Sequence, residues 1–159
     1  MQSTLESHIQ EQLDAVRANY DYGEWFEPLY YDFCEFIGRK GKRVRPMMFL
    51  TTYQAFGGEK PLTDPSLMRA AAALELFHSF ILLHDDVIDR SDLRRGLPTY
   101  HRLASQRLGQ LEGSERVGES IATVFGDIVF TMAIESLLDM DLPGPLQKTV
   151  MRTFLKAAA

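Results

Sequence analysis

Three aspartates at the end of a long apolar segment have the residue type and spacing of a divalent-cation site. Asp85, Asp86 and Asp89 follow the apolar run at 80–83. On a helix, residues four apart share a face, so Asp85 and Asp89 would point the same way, about 6 Å apart along the axis. Two carboxylates at the negative end of a helix dipole repel each other, and Mg²⁺ held jointly with substrate phosphates would relieve that repulsion. The alternative is a solvated acidic helix end.

A basic segment supplies a second candidate site. Five of the seven residues at 39–45 are lysine or arginine, directly before Pro46, which favours the first turn of a helix. Unpaired N–H groups at a helix N-terminus attract anions, so Lys42 and Arg45 placed there would bind a diphosphate. The alternatives are a solvated basic turn and a nuclear-localisation-like patch. A nucleic-acid partner is not expected, because the formal net charge is −5.

An arginine pair and one histidine extend this pattern. Arg94 and Arg95 follow the aspartates within ten residues. Adjacent side chains point in different directions on a regular backbone, so the two could hold different anions; the alternative is a surface ion pair of little energetic worth. His78 precedes Asp85 by seven residues, close to two helical turns, although a histidine on an apolar face is often a core residue. Together these residues describe a pocket for two diphosphates and Mg²⁺.

Helical periodicity dominates the elements that must position these residues, and no strand is predicted. Ser3 is the expected N-cap of the first helix and Gly23 its end. Trp25 and Val124 are expected to face the core. The further helices are predicted at about 24–37, 46–56, 64–89, 100–108 and 116–140, and from 146 onward.

Composition indicates one globular, all-helical domain over 1–159, with 45% hydrophobic and 25% charged residues. The single cysteine, Cys34, excludes an internal disulfide and a cysteine-based zinc cluster, and indicates a reducing compartment. No apolar stretch approaches the ~20 residues that cross a bilayer, and the N-terminus lacks a secretory signal pattern. We therefore expect a cytoplasmic protein without a transmembrane segment.

The motifs together resemble the N-terminal half of a trans-isoprenyl diphosphate synthase, of the polyprenyl synthetase family. The similarity covers about 33–138, and DDxxD alone would also fit a terpene cyclase. It rests on the basic segment at 41–46, His78, the DDxxD motif at 85–89, Leu-Arg-Arg-Gly at 93–96 with Pro98-Thr99 behind it, and Gly126-Asp127.

This resemblance implies an all-α isoprenoid-synthase bundle, normally a homodimer, that joins isopentenyl diphosphate to an allylic diphosphate. The metal would neutralise the leaving diphosphate as its C–O bond ionises. The implied binding residues are Lys42, Arg45, His78 and Arg95 for isopentenyl diphosphate, Arg94 for the allylic diphosphate, and Asp85 and Asp89, assisted by Asp86, for Mg²⁺.

Phe80 is the residue that bears on product length. It lies five residues before Asp85, on the side of the helix that the family uses as the floor of its elongation pocket. A bulky ring there would stop growth early, and the DDxxD motif lacks a two-residue insertion. The resemblance therefore implies a C20 product, with C15 as the next choice. The alternative for Phe80 is ordinary core packing.

The sequence departs from the family in length, because the family's second aspartate-rich motif is absent from it. We therefore expect a truncated, proteolysed or partial chain that does not turn over by itself. The alternative is a half-length, non-catalytic partner or regulatory subunit of a full-length synthase, docked through exposed apolar faces of the helix at 116–140.

Overall fold

A computed structural model describes residues 2–19, 23–39, 41–109 and 111–158. Within them the chain forms seven α-helices and one short antiparallel hairpin, which confirms the all-α class. The helices are α1 Gln2–Asn19, α2 Gly23–Gly38, α3 Val44–Ala55, α4 Pro65–Ile88, α5 Tyr100–Leu108, α6 Ser114–Leu138 and α7 Gly144–Ala158. The strands are β1 Leu93–Arg94 and β2 Leu97–Pro98.

Helix α4 is the central element and begins where the sequence predicts. Asp64 is its N-cap, and the carboxylate accepts hydrogen bonds from the N–H groups of Ser66 (3.0 Å) and Leu67 (3.3 Å). Pro65 occupies the first helical position, where a missing N–H costs nothing. The helix ends at Ile88, so the three aspartates lie at its C-terminal end.

Small residues allow α4 and α6 to pack closely at the centre of the bundle. Ala71, Ala72 and Ala73 on α4 and Ala122 and Ala133 on α6 are fully buried. The absence of long side chains at these positions lets the two backbones approach, and α4 packs more extensively against α6 than against any other described element.

An aromatic cluster joins α2, α5 and α6 on the other side of this contact. The rings of Phe33 and Phe125 lie 4.7 Å apart, and that of Tyr100 lies 5.2 Å from that of Phe125. The Tyr100 hydroxyl donates to the carbonyl of Leu29 (3.0 Å), which satisfies the one polar atom of a buried side chain. This cluster fixes α5 and α6 on the helix that leads into the basic segment.

The single thiol lies beside this cluster. Cys34 on α2 is half-buried, and burial raises its pKa from 9.0 to about 11, although a hydrogen bond with Tyr30 opposes the rise.

Several predicted helix starts differ from the structure, and α6 and α7 each begin two residues earlier than predicted. Ser3 lies inside α1, so it is not the N-cap. Helix α3 begins at Val44 rather than at Pro46, because Arg43 occupies the N-cap position in a left-handed conformation (φ 45°). The predicted end at Gly23 also fails: α1 ends at Asn19, residues 20–22 lie outside the described residues, and Gly23 opens α2.

Two predicted core residues point outward. Trp25 is 65% exposed and Val124 is 54% exposed. In the first turn of α2 it is Phe26 that stacks on Phe125, at 5.3 Å. On α6 the buried stripe includes Phe125 and Val129, and Val124 falls outside it because each residue turns the helix by about 100°.

Two helices, Pro65–Ile88 and Ser114–Leu138, have the length and apolar composition of membrane spans. This corrects the expectation that no apolar segment is long enough to cross a bilayer. The apolar windows of these helices are 61% and 44% buried inside the structure. Core helices commonly meet the same two criteria, so this finding is weak evidence for a membrane span.

Gly118 marks the closest approach of α5 and α6, and its replacement by alanine should destabilise the fold. An added Cβ would lie 2.6 Å from the carbonyl oxygen of His101 and 2.9 Å from the amide nitrogen of Ser105. Both are backbone atoms, so we expect Gly118→Ala to lower the free energy of unfolding by about 1–3 kcal/mol, measured by urea denaturation.

Gly38→Ala in α2 is the matched control, because apart from its chain neighbours and the backbone of its own helix no heavy atom lies within 4 Å of the added Cβ. It should change the free energy of unfolding by less than about 0.5 kcal/mol. Helix propensity alone favours alanine at both positions, so a stabilising Gly118→Ala would contradict the close approach.

Candidate functional site

The three aspartates at the end of α4 do not share one environment. Asp85 and Asp89 are exposed and lie one turn apart, and the Asp89 N–H donates to the carbonyl of Asp85 (2.8 Å). Asp86 is only 2% exposed. Two carboxylates are thus open to solvent and ligands, whereas the third needs a partner within the fold.

Arg94 is that partner. Its Nε lies 2.9 Å from both carboxylate oxygens of Asp86, and its Nη2 donates to Oδ1 at 2.6 Å. This fork raises the pKa of the Arg94 guanidinium, and the charges of Asp85 and Asp89 add to the rise. The sequence predicts Asp86 as a metal ligand and Arg94 as an anion ligand; here each is bound to the other.

The hairpin that carries Arg94 also determines the direction of Arg95. Arg95 and Gly96 form its two-residue turn, and both have positive φ (55° and 79°). Such turns match the twist of two antiparallel strands, but the left-handed region costs a non-glycine residue about 1–2 kcal/mol. The sequence marks a turn at Gly96 but contains no alternation long enough to predict strands of two residues each.

The basic loop, which we define as Arg39 and residues 41–45, lies against this hairpin. Arg39 Nη1 donates to the carbonyl of Pro98 (2.7 Å). Gly41 is so close to the hairpin that a Cβ there would lie 2.7 Å from Nη1 of Arg95. Lys42 and Arg45 are exposed on the same loop. Only a glycine at position 41 admits the Arg95 guanidinium at this distance.

His78 lies where these cations meet. Burial lowers its pKa, the charge of Arg45 lowers it further, and Arg95 and Arg94 act in the same direction, opposed by Glu75. Its Nδ1 is buried without a hydrogen-bond partner among the described residues. His78, Arg94 and Arg95 also line a cavity of about 40 Å³. The structure therefore brings the predicted anion-binding residues Arg45, His78, Arg94 and Arg95 together, next to the aspartates.

An apolar cavity of about 500 Å³ adjoins this cluster. Arg45 and His78 line it together with residues of α3, α4, α6 and α7 that include Phe49, Phe77 and Phe154.

Phe80 is not among the residues that line this cavity. Its ring packs against those of Phe130 (5.1 Å) and His84 (4.7 Å). The phenylalanine of α4 that does line the cavity is Phe77. A role of Phe80 in product length stays a prediction.

The donor set at the end of α4 fits Mg²⁺. Within the described part of the chain, no group of three or more His, Cys, Asp or Glu side chains is arranged to hold a metal by itself. Mg²⁺ usually takes one or two protein carboxylates and completes its octahedron with water and substrate phosphates. Asp85 and Asp89 could supply those two carboxylates.

His84, which directly precedes Asp85 on α4, lies close to Asp127 on α6. His84 Nδ1 is 3.1 Å from the carbonyl of Phe80, and its Nε2 is 3.6 Å from the carboxylate of Asp127. Gly126 makes room for the imidazole, since an added Cβ would overlap the ring. This contact gives a physical reason for the Gly126-Asp127 pair, which is one of the features that carry the family resemblance.

With this geometry described, comparison with known families is decisive: the polyprenyl synthetase family model matches residues 27–159. The chain belongs to the polyprenyl synthetase family. This confirms the resemblance drawn from the basic segment, His78 and the DDxxD motif.

Curated relatives of this polyprenyl synthetase chain are named as prenyl diphosphate synthases. It is 32% identical to a farnesyl diphosphate synthase of Geobacillus stearothermophilus over 74% of the chain and 36% of that relative. It is 36% identical to a geranylgeranyl diphosphate synthase of Saccharolobus solfataricus over 61% of the chain and 24% of that relative. The chain thus spans well under half the length of these relatives.

Solved structures share the fold. A geranylgeranyl pyrophosphate synthase from Corynebacterium glutamicum, complexed with isoprenyl diphosphate and magnesium, matches with a TM-score of 0.75 and 31% identity, over 89% of this chain and 42% of that one. A geranylgeranyl pyrophosphate synthetase from Pyrococcus horikoshii matches with a TM-score of 0.74 and 28% identity, over 98% of this chain and 40% of that one. The isoprenoid-synthase fold is therefore confirmed for the portion present.

The Asp86–Arg94 fork should respond asymmetrically to mutation. Arg94→Met leaves a carboxylate buried without a partner, so we expect it to lower the free energy of unfolding by about 3–5 kcal/mol. Asp86→Asn leaves an arginine that is already partly exposed and can turn to solvent, and should cost about 1–3 kcal/mol. Urea denaturation at pH 7 measures both; equal losses, or the reverse order, would contradict the geometry.

His78 should make the stability of the fold depend on pH. Its pKa in the folded state lies below the ordinary value of 6.5, so the unfolded chain binds more protons in this range. Stability should therefore fall as pH drops below 6.5, and His78→Gln should lose less stability than the wild type between pH 7.5 and 5.5. Chemical denaturation across this range is the measurement. Parallel profiles for the two proteins would show that His78 does not titrate as its surroundings indicate.

Proposed function

We propose that this chain supplies the diphosphate-binding half of a prenyltransferase that joins isopentenyl diphosphate to an allylic diphosphate. The observation that carries the proposal is that His78 lines one cavity with Arg94 and Arg95 and a second with Arg45, close to the carboxylates of α4. Cations that converge on one half-buried histidine repel each other, and a multivalent anion relieves that repulsion. The names of the relatives support diphosphates as those anions.

The cations of the basic loop and of the hairpin turn bind isopentenyl diphosphate in this proposal. Lys42 and Arg45 approach it from the loop, Arg95 from the turn and His78 from α4. The neighbouring apolar cavity accepts the growing prenyl chain. Phe77 lines that cavity, and Phe80 acts on the product length through the Phe77 ring, which it contacts at 5.7 Å. From the family resemblance we expect a C20 product, with C15 as the next choice.

The acidic end of α4 binds the allylic diphosphate through Mg²⁺. Asp85 and Asp89 hold the metal, and Arg94 contacts the diphosphate while Asp86 keeps the guanidinium oriented. Bound Mg²⁺ supplies neutralisation of the charge that develops on the leaving diphosphate. The two cationic groups hold both substrates in one orientation, which lowers the entropic part of the barrier.

Binding of diphosphate and Mg²⁺ requires only the residues named above. A homodimeric assembly stays a prediction from the resemblance, and a cytoplasmic location stays a prediction from the sequence.

Calorimetric titration with inorganic diphosphate and MgCl₂ tests the proposal on this chain. We expect Asp85→Asn with Asp89→Asn to weaken Mg²⁺-dependent binding by about tenfold or more, since each lost charge-assisted contact is worth about 1.5–3 kcal/mol. Lys42→Ala with Arg45→Ala should weaken binding also without Mg²⁺, because these side chains contact the anion directly.

Asp141→Asn is the matched control, since Asp141 is an exposed carboxylate remote in sequence from the site, and it should leave the affinity unchanged. Loss of affinity in Asp141→Asn, with unchanged affinity in the variant of Asp85 and Asp89, would refute the assignment of Asp85 and Asp89 as the Mg²⁺ ligands. A wild-type chain that binds no diphosphate but captures a full-length synthase subunit would favour the non-catalytic partner instead.

A further inference from the structure

One arginine of the basic loop is directed into the protein rather than toward solvent. The side chain of Arg43 is 5% exposed, whereas Lys42 and Arg45 are exposed. Its Nη1 donates to Oε1 of Glu75 at 2.8 Å, and the Glu75 side chain is 10% exposed. A buried ion pair thus joins the loop to α4.

Stability does not account for this pair. Two charges lose their hydration when they are buried, and an apolar pair of similar volume is often as stable or more so. Arg43 also has φ 45°, in the region that disfavours a side chain, and its Nε is buried with no partner among the described residues. Strain and desolvation together at one residue are typical of a segment whose position is functionally constrained.

The contacts of the pair reach both ends of the proposed diphosphate site. Arg43 is the N-cap of α3, and its carbonyl accepts the N–H of Met47 (3.1 Å), while its Nη2 donates to the carbonyl of Arg39 (3.3 Å). Glu75 lies one turn before His78 on α4, and its own carbonyl accepts the hydroxyl of Ser79 (3.0 Å). Any shift of Arg43 would therefore move the loop relative to His78.

We propose that Arg43 and Glu75 form a positioning pair that holds the basic loop against α4, so that Lys42, Arg45 and His78 face one diphosphate. Neither residue touches the substrate. This inference rests on the proposed function for the identity of the anion, whereas the anchoring of the loop does not depend on it.

The sign of one mutational effect separates positioning from simple electrostatics. Glu75 is a carboxylate beside a site for anions, so Glu75→Gln removes a repulsive charge and should tighten diphosphate binding if charge alone matters. If the pair positions the loop, the same substitution weakens binding.

Hydrogen exchange of the unliganded chain measures how firmly the basic loop is held, and calorimetry with inorganic diphosphate measures the affinity for the anion. In Glu75→Gln we expect amide exchange in the basic loop to accelerate about tenfold and diphosphate affinity to fall about tenfold, as for displaced positioning groups elsewhere. Exchange in the middle of α6 should stay as in the wild type.

Asp32→Asn provides the matched control. Asp32 is also a carboxylate with a 10% exposed side chain, and it holds Arg107 through two hydrogen bonds of 2.7 and 2.8 Å between α2 and α5. The substitution should reduce stability without changing loop exchange or diphosphate affinity. An equal loss of affinity in Asp32→Asn would mean that general destabilisation explains the effect, and would overturn the proposal.

A double variant, Arg43→Met with Glu75→Leu, covers the case in which Glu75→Gln does not fold. It removes both buried charges together, so it should remain folded while loop exchange stays fast and affinity stays low. Wild-type affinity in a folded double variant, or unchanged affinity in Glu75→Gln, would refute the positioning role. A wild-type chain that binds no diphosphate, with fast loop exchange only in the Glu75 variants, would refute the proposed function and support the anchoring.

Discussion

The arrangement of this site depends on the pairing of one buried carboxylate with one guanidinium. Asp86 cannot reach solvent, and Arg94 occupies both of its oxygens. Of the three negative charges at the end of α4, one is thereby neutralised inside the protein, and the other two remain outside, where a cation can approach. The same fork attaches the hairpin to α4, so the direction of Arg95 follows from it.

These attachments form a closed ring of contacts that begins and ends on α4. Asp86 holds the hairpin through Arg94, and the hairpin contacts the basic loop where Arg39 donates to Pro98. The loop returns to α4 through Arg43 and Glu75. In a ring of this kind the hairpin and the basic loop are each held from two sides, which allows the like charges they carry to be kept close together before any anion arrives.

The sequence predicts the frame of this site better than its internal pairings. Asp64-Pro65 and the apolar run of α4 define that helix by local rules, and the motif spacing identifies the family. For the basic residues of this segment, by contrast, no local rule tells which of them turn inward: Arg43 is buried because of Glu75, 32 positions away in the chain. A glutamate within the alanine- and leucine-rich part of α4 was the available signal. The prediction that Trp25 faces the core is wrong because several faces of α2 carry aromatic residues, and only packing selects among them.

The chemistry of the lone thiol has a practical consequence. With a pKa of about 11, Cys34 is almost entirely protonated at neutral pH, so it reacts slowly with maleimides and other electrophiles. The wild-type chain is therefore a nearly silent background for site-directed labelling. A reporter cysteine introduced at an exposed position would carry a fluorophore or spin label selectively, and distances across the helices could be followed in solution without first removing a native residue.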